Sequence, residues 1–193
     1  MKTDIILAGV GGQGILSIAT TLGTAALTEK LNIKQAETHG MSQRGGAVVS
    51  HMRISDQAIA SDLIPLGKAD LVLSVEPMES LRYLPFLSPT GYLVTNTTPF
   101  INVPNYPDVE KVMEEIRKLP RFVAIDADRI AREIGNARAS NMVMLGAAAP
   151  FIDISFDKIR EGVRSIFERK GDDIVNLNIR ALEAGHDFSL QNK

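Results

Sequence analysis

The chain of 193 residues contains no cysteine. Disulfides, thiolate zinc sites and cysteine-ligated iron–sulfur clusters are therefore excluded from it, and any redox metal it works with must sit in another chain. A dominant charge is lacking too. With 21 basic and 23 acidic side chains the formal net charge is −2, so no polyanion-binding surface and no nucleic-acid partner is expected. No apolar run reaches the roughly 18 residues that a membrane span needs. The N-terminal stretch MKTDIILAGVGG meets glycine after about six apolar residues, too few for a secretory signal. These absences predict a cytoplasmic protein with no membrane contact.

What is present is ordinary for a globular chain: 45% of residues are apolar and 23% charged. The length fits one domain with a core of its own. TDIILAG, at 3–9, is a short apolar run bounded by glycine, as a buried parallel strand would be. From Gln13 to about Lys30, Ile15, Ile18, Ala19, Leu22 and Ala26 recur at helical spacing. Residues 34–38 suggest a second strand and AVVSHMRIS, 47–55, a third, with Val49, His51 and Arg53 on one face and Val48, Ser50, Met52 and Ile54 on the other.

ADLVLSVEP and GYLVTN read as further core strands, with MESLRYL a short helix between them. Pro99, Pro104 and Pro107 punctuate an irregular connection. A helix over 108–119 follows, then strand RFVAID, whose Asp126 is placed to cap the next helix. NMVMLGAAAP reads as a buried helix closed by Pro150, and two amphipathic helices follow, from near Ser155 to Gly171 and from Asp172 to Gly185. The alternation predicts a three-layer α/β/α sandwich with a mostly parallel, Rossmann-like sheet and C-terminal helices. Residues 1–193 are expected to form a single domain, 155–193 being a helical extension of it.

Two motifs carry chemistry. Gly9, Gly11 and Gly14 satisfy G-x-G-x-x-G after a strand and at the start of a helix, where free N–H groups face an anion. A dinucleotide site would also need an acid at the end of the second strand, and Glu37, 23 residues past Gly14, is the one candidate. Packing of strand on helix would by itself account for the glycines. The second motif, ETHGMSQRGGAVVSHMR over 37–53, sets His39, Ser42, Gln43 and Arg44 against the pair Gly45-Gly46. Glycine there lets another backbone or a ligand approach, and Arg44 carries a planar donor fork suited to carboxylate or phosphate. The plain alternative is a solvated loop whose arginines pair with nearby acids. His51, on a strand face, reads as a packing residue. No triad or carboxylate pair emerges, so no catalytic residue is assigned to the chain itself.

AGVGGQGILSIATTLGTAA, then ETHGMSQRGGAVVSHMRI, then NMVMLGA, in that order, resemble the gamma subunit or domain of the 2-oxoacid:ferredoxin oxidoreductases over roughly residues 3–168. The form from Ser42 to Gly46 is closest to the beta subunits that act on indolepyruvate. The resemblance implies a subunit of an enzyme, inactive alone, that converts an aryl 2-oxoacid and coenzyme A to an aryl-acetyl-CoA and carbon dioxide while reducing ferredoxin, a reaction of anaerobic metabolism. It further implies that this chain binds no cofactor by itself, and that thiamine diphosphate, magnesium and iron–sulfur clusters belong to a large alpha subunit, its heterodimer partner.

Gly11, Gly12, Gln13, Gly14, His39, Ser42, Gln43, Arg44, Gly45, Gly46 and Arg53 are the residues expected to face that partner's site and its ligands. An exposed partner surface leaves a homodimer open to the isolated chain. Three other readings stand beside this one: the same family acting on pyruvate, 2-oxoglutarate or branched-chain oxoacids, a free-standing dinucleotide-binding module that uses Glu37, and a purely structural subunit.

Overall fold

A computed structural model describes residues 1–40, 45–101 and 103–193. The first strand, β1 (Lys2–Val10), buries every residue after Lys2, so its apolar run has a packed layer on either face. Around it the remaining strands are β2 (Asn32–His39), β3 (Ala47–Ser55), β4 (Ala69–Ser74), β5 (Leu87–Asn96) and β6 (Phe122–Ile125). They form one six-stranded sheet in the order β2-β3-β1-β4-β5-β6.

β1, β4, β5 and β6 pair in parallel, while β3 runs antiparallel to both of its neighbours, β1 and β2. The mostly parallel sheet is therefore as expected, with one departure from a Rossmann order: β3 is wedged between β1 and β2. The cause is local. Only residues 40–46 join β2 to β3, and so short a link closes a hairpin but cannot make the crossover that a parallel pair needs.

Alternation on β3 feeds two cores. Val48, Met52 and Ile54 join a large cluster on one face of the sheet, and Val49 joins a smaller one on the other. The large cluster is covered by α1 (Ile15–Thr28), α4 (Ala127–Ile134), α5 (Ser140–Ala148), α6 (Phe156–Phe167) and α7 (Asp172–Asn192). The opposite face is covered by α2 (Pro77–Tyr83) and α3 (Val109–Arg117). The result is a three-layer α/β/α arrangement. Asp126 and Ser155 cap α4 and α6 by accepting the N–H groups of Arg129 and Lys158.

α5 is buried from Asn141 to Ala148 because the sheet lies on one side of it and α7 on the other. The last two helices place Ile159, Val163, Val175, Ile179, Ala181 and Leu182 in the same cluster as the sheet. α7 does not stop at Gly185, as the sequence suggests, but continues to Asn192. Gly185 is there for contact: a Cβ on it would lie 1.9 Å from the Val143 carbonyl oxygen, and one on Gly146 would lie 1.9 Å from that of Leu182. Two facing glycines thus let α5 and α7 cross backbone to backbone.

Candidate functional site

At the carboxyl end of β1 the chain turns through Gly11, Gly12, Gln13 and Gly14 into α1. Gly12 and Gly14 have φ of 103° and 82°, left-handed values that glycine takes without strain. Gln13 braces the turn: its Oε1 accepts the Val10 N–H at 2.8 Å, and its Nε2 donates to the Val75 carbonyl at the end of β4 at 3.3 Å. From β1 the chain enters α1 on one face of the sheet, and from β4 it enters α2 on the other. Gln13 therefore spans the point where the connections diverge, the usual place for a ligand cleft in an open α/β sheet.

The two glycine motifs meet. The Gly11 N–H donates to the Gly46 carbonyl at 2.8 Å, and the Gly45 N–H donates to the Gly11 carbonyl at 3.4 Å, extending the β1–β3 ladder beyond Val10 and Ala47. Across the loop mouth the Gly40 N–H donates to the Ala47 carbonyl at 2.8 Å. Ser42, Gln43 and Arg44, with Met41, lie outside the described residues.

A cleft opens on each side of the glycine turn. One, of about 450 Å³, is lined by Gln13, Asn96, Phe100, Asp128, Arg138 and Asn141 together with Gly12 and Gly14. The other, of about 270 Å³, is lined by Gly11, Ile15, Leu16, His39 and Val48. The larger is rich in amide groups. Asn141 donates to the Gly14 carbonyl at 3.2 Å, and Asn96 donates to Asp128 at 2.7 Å while accepting the Ala127 N–H. Beside it the fully buried Glu76 carboxylate accepts the Phe100 N–H and the Tyr106 hydroxyl, pinning the proline-punctuated connection over the cleft. Burial, and then the carboxylate itself, push the Tyr106 hydroxyl well above its ordinary range, so it remains a donor.

The structure thus brings Gly11, Gly12, Gln13, Gly14, His39, Gly45 and Gly46 together, but it places Arg53 elsewhere. From Ala47 to Arg53 the strand carries the chain about 20 Å away, to the opposite end of the sheet. There Arg53 holds the buried Asp4 in a two-pronged ion pair at 2.8 and 3.0 Å and donates to the Ser61 and Leu63 carbonyls. Arg53 is a fastener of strand to loop. Arg53→Ala leaves Asp4 with Lys2 alone, at 2.8 Å; chemical denaturation of the variant is expected to show a loss of about 2 kcal/mol.

His51 is likewise structural. Its Nδ1 accepts the Ile64 N–H at 3.1 Å, its ring meets Phe86 edge-on, and burial outweighs the pull of Asp62 to lower it below its ordinary 6.5. His39 is exposed on one side and pairs with Glu37. That pairing occupies the one candidate ribose acid. Moreover, β3 separates β2 from β1, setting the strand that carries Glu37 about 10 Å, two strand spacings, from β1, where an adjacent second strand would lie about 5 Å away. The dinucleotide reading loses its geometry.

Sequence reasoning missed Asn96, the last residue of β5, Asp128, in the first turn of α4 just after β6, and Arg138, in the turn past α4; their only trace was that the first two sit at the carboxyl ends of strands. Asn141 lies in the helical stretch NMVMLGA, whose spacing carries no sign of its contact with the Gly14 carbonyl.

Among the described residues, no group of three or more His, Asp or Glu is placed to hold a metal, and no helix is long and apolar enough to cross a membrane. Residues 4–188 match the family model described as pyruvate ferredoxin/flavodoxin oxidoreductase. The chain is 35% identical to the indolepyruvate oxidoreductase subunit IorB of Archaeoglobus fulgidus over 202 residues, covering 100% of this chain and 98% of that protein. It is 37% identical to the subunit of the same name from Thermococcus kodakarensis, covering 94% and 93%.

Among solved structures, the keto/oxoacid ferredoxin oxidoreductase gamma subunit of Geobacter sulfurreducens superposes with a TM-score of 0.72 at 22% identity, covering 98% of this chain and 99% of that one. The 2-oxoglutarate:ferredoxin oxidoreductase of Magnetococcus marinus, with 2-oxoglutarate, coenzyme A and succinyl-CoA bound, superposes with a TM-score of 0.79 at 21% identity, over 100% of this chain and 32% of that one. At such identities these two likenesses speak for the fold, and it is the family match and the IorB relatives that place the sequence. The chain belongs to the pyruvate ferredoxin/flavodoxin oxidoreductase family and is a small subunit of a 2-oxoacid:ferredoxin oxidoreductase.

Proposed function

We propose that this subunit serves the oxidative decarboxylation of indolepyruvate and related aryl 2-oxoacids, and that its two joined glycine motifs form its share of the coenzyme A site beside a large alpha subunit. The substrate class is drawn from the IorB relatives, which align along nearly their whole length. The ligand is supported by one observation above the others: Gly11 and Gly46 bond backbone to backbone at the switch point of the sheet, so the second motif, through His39, and the start of α1 line one cleft, with the amide-lined cleft on the other side of the same glycine turn.

Coenzyme A is long, polar and multiply charged, and these residues suit it chemically. The α1 N-terminus has no side-chain cap and no acid in its first turn, which leaves its N–H groups for an anion. Gln13 and Asn141 hold the turn open; His39 and Arg44 are assigned to the ligand's charged groups, Arg44 through a forked contact with carboxylate or phosphate. The flanks of residues 41–44 are held by Gly40 and Gly45, next to the turn.

Thiamine diphosphate, magnesium and the iron–sulfur clusters are assigned to the partner, since a chain without cysteine has no thiolate for a cluster. Thiamine diphosphate there supplies the decarboxylation chemistry. Ferredoxin takes the electrons, and the complex works in the cytoplasm.

The test is Arg44→Ala in the complex with the large subunit. The expected result is a KM for coenzyme A raised at least roughly tenfold with assembly intact, as loss of a charge-assisted contact predicts. Unchanged KM values for both oxoacid and coenzyme A would remove Arg44 from the site.

A further inference from the structure

The buried carboxylate of Glu76 lines neither cleft, yet it stands just past the end of β4, beside the larger one. Its Oε2 accepts the Glu79 N–H at 2.9 Å and so caps α2. Its Oε1 serves another part of the chain, accepting the Phe100 N–H at 3.3 Å and the Tyr106 hydroxyl from the connection that follows β5. A carboxylate out of water is costly unless donors surround it, and here they reach it from α2 and from that connection.

What Glu76 holds in place is not core. Phe100, Ile101 and Val103 are 40%, 68% and 39% exposed, so this segment turns large apolar side chains outward while its backbone and Tyr106 are anchored on a buried charge. A segment held only for stability would bury its apolar side chains and leave its polar groups in water. Held the other way round, it serves by what it presents. Upstream, the Thr97 N–H donates to the Ile125 carbonyl at 3.0 Å and the Thr98 hydroxyl to Asp126 at 3.2 Å. Phe100 follows these ties, its N–H on Glu76, and it lines the larger cleft.

We propose that Glu76 and Tyr106 are positioning residues, which hold Phe100 as a wall of the larger cleft so that its ring packs on the ligand bound there. This rests on the coenzyme A reading of the cleft and adds to it residues outside both glycine motifs. A hydrogen bond to a charged group contributes roughly tenfold or more to an equilibrium constant, enough to keep the ring in place before the ligand arrives. Without the Tyr106 hydroxyl, the Phe100 N–H is the segment's remaining bond to Glu76 among the described residues, and part of the ligand's binding energy goes into ordering the ring.

The experiment is steady-state assay of the complex with the large subunit, carrying Tyr106→Phe, Phe100→Ala or both. Tyr106 is chosen over Glu76 because Glu76 also caps α2. Phe100 is exposed and Tyr106 half-buried, so all three variants are expected to keep the fold, which thermal melting checks. Tyr106→Phe and Phe100→Ala are each expected to raise the KM for coenzyme A roughly three- to tenfold, with kcat and the KM for the oxoacid near wild type, the pattern of a lost binding contact. The double variant is expected to match Phe100→Ala alone, since the hydroxyl acts through the ring. An unchanged KM for coenzyme A in either single variant, a loss carried by kcat instead, or losses that multiply in the double variant overturns the proposal. The coenzyme A reading fails by a different result, an unchanged KM in the Arg44→Ala complex; the positioning of Phe100 fails alone when Arg44→Ala raises that KM and Phe100→Ala and Tyr106→Phe do not.

Discussion

Gly146→Val is expected to leave little or no folded protein. The atom that a side chain would meet is backbone: a Cβ at Gly146 would sit 1.9 Å from the Leu182 carbonyl oxygen and 3.0 Å from the His186 nitrogen. Neither can rotate away, so α5 and α7 would have to separate, and α5 is the helix buried between α7 and the sheet. Replacing glycine within a helix gains about 1 kcal/mol of propensity at best. Against it stand an overpacking cost of about 3 kcal/mol or more and the cavities that separation opens along Met142, Leu145 and Leu182. A domain stable by roughly 5–15 kcal/mol bears that poorly. The thermal midpoint of any soluble fraction is expected to fall by about 10 °C or more. A soluble variant melting like the wild type would show that the helices do not cross so closely.

Gly14→Val is expected to spare the fold and injure the function. Its φ of 82° costs any other residue about 1–2 kcal/mol, and a Cβ there would lie 2.4 Å from Asn141 Nδ2. The obstacle in this case is the end of a side chain. Asn141 can swing aside, but only by giving up its hydrogen bond to the Gly14 carbonyl, and both residues line the larger cleft. Thermal melting should register a loss of about 2–3 kcal/mol. Steady-state assays of the assembled enzyme should register at least a roughly tenfold fall in kcat/KM for coenzyme A, since displacement of about 1 Å at a site is enough for that. Equal losses of stability with full activity would separate the turn from the ligand.

Why parts of this molecule could be read in advance, and others not, follows from the range of the interactions involved. The strand-turn-helix unit from Lys2 to Thr28 is legible because glycine spacing, an apolar run and a 3.6-residue period are all local. So are the caps at Asp126 and Ser155. The insertion of β3 between β1 and β2 is not local. It depends on β1 offering its free edge to a strand that the hairpin has already turned around, and alternation on β3 is the same whichever neighbour it takes.

Arg53 shows the same limit. On sequence it shares a face and a motif with the loop residues, yet a strand of nine residues carries it to the far edge and to Asp4, 49 positions away. Gly185 looked like a helix stop because glycine usually is one at a helix end, and the partner that explains it, Val143, lies on another helix. Asn96, Asp128 and Arg138 come to one cleft from the end of β5, the first turn of α4 and the turn that follows α4, so no spacing rule finds them.

The activity belongs to an assembly, and the direct measurement is made on one. Co-express this chain with the large subunit, purify through a tag on this chain, and follow coenzyme A-dependent reduction of a viologen dye with indolepyruvate, phenylpyruvate, pyruvate and 2-oxoglutarate. The two subunits are expected to co-purify, with activity confined to the aryl oxoacids and lost when this chain is left out. Activity of the large subunit alone at the same rate, or a complex that prefers pyruvate or 2-oxoglutarate, would contradict it.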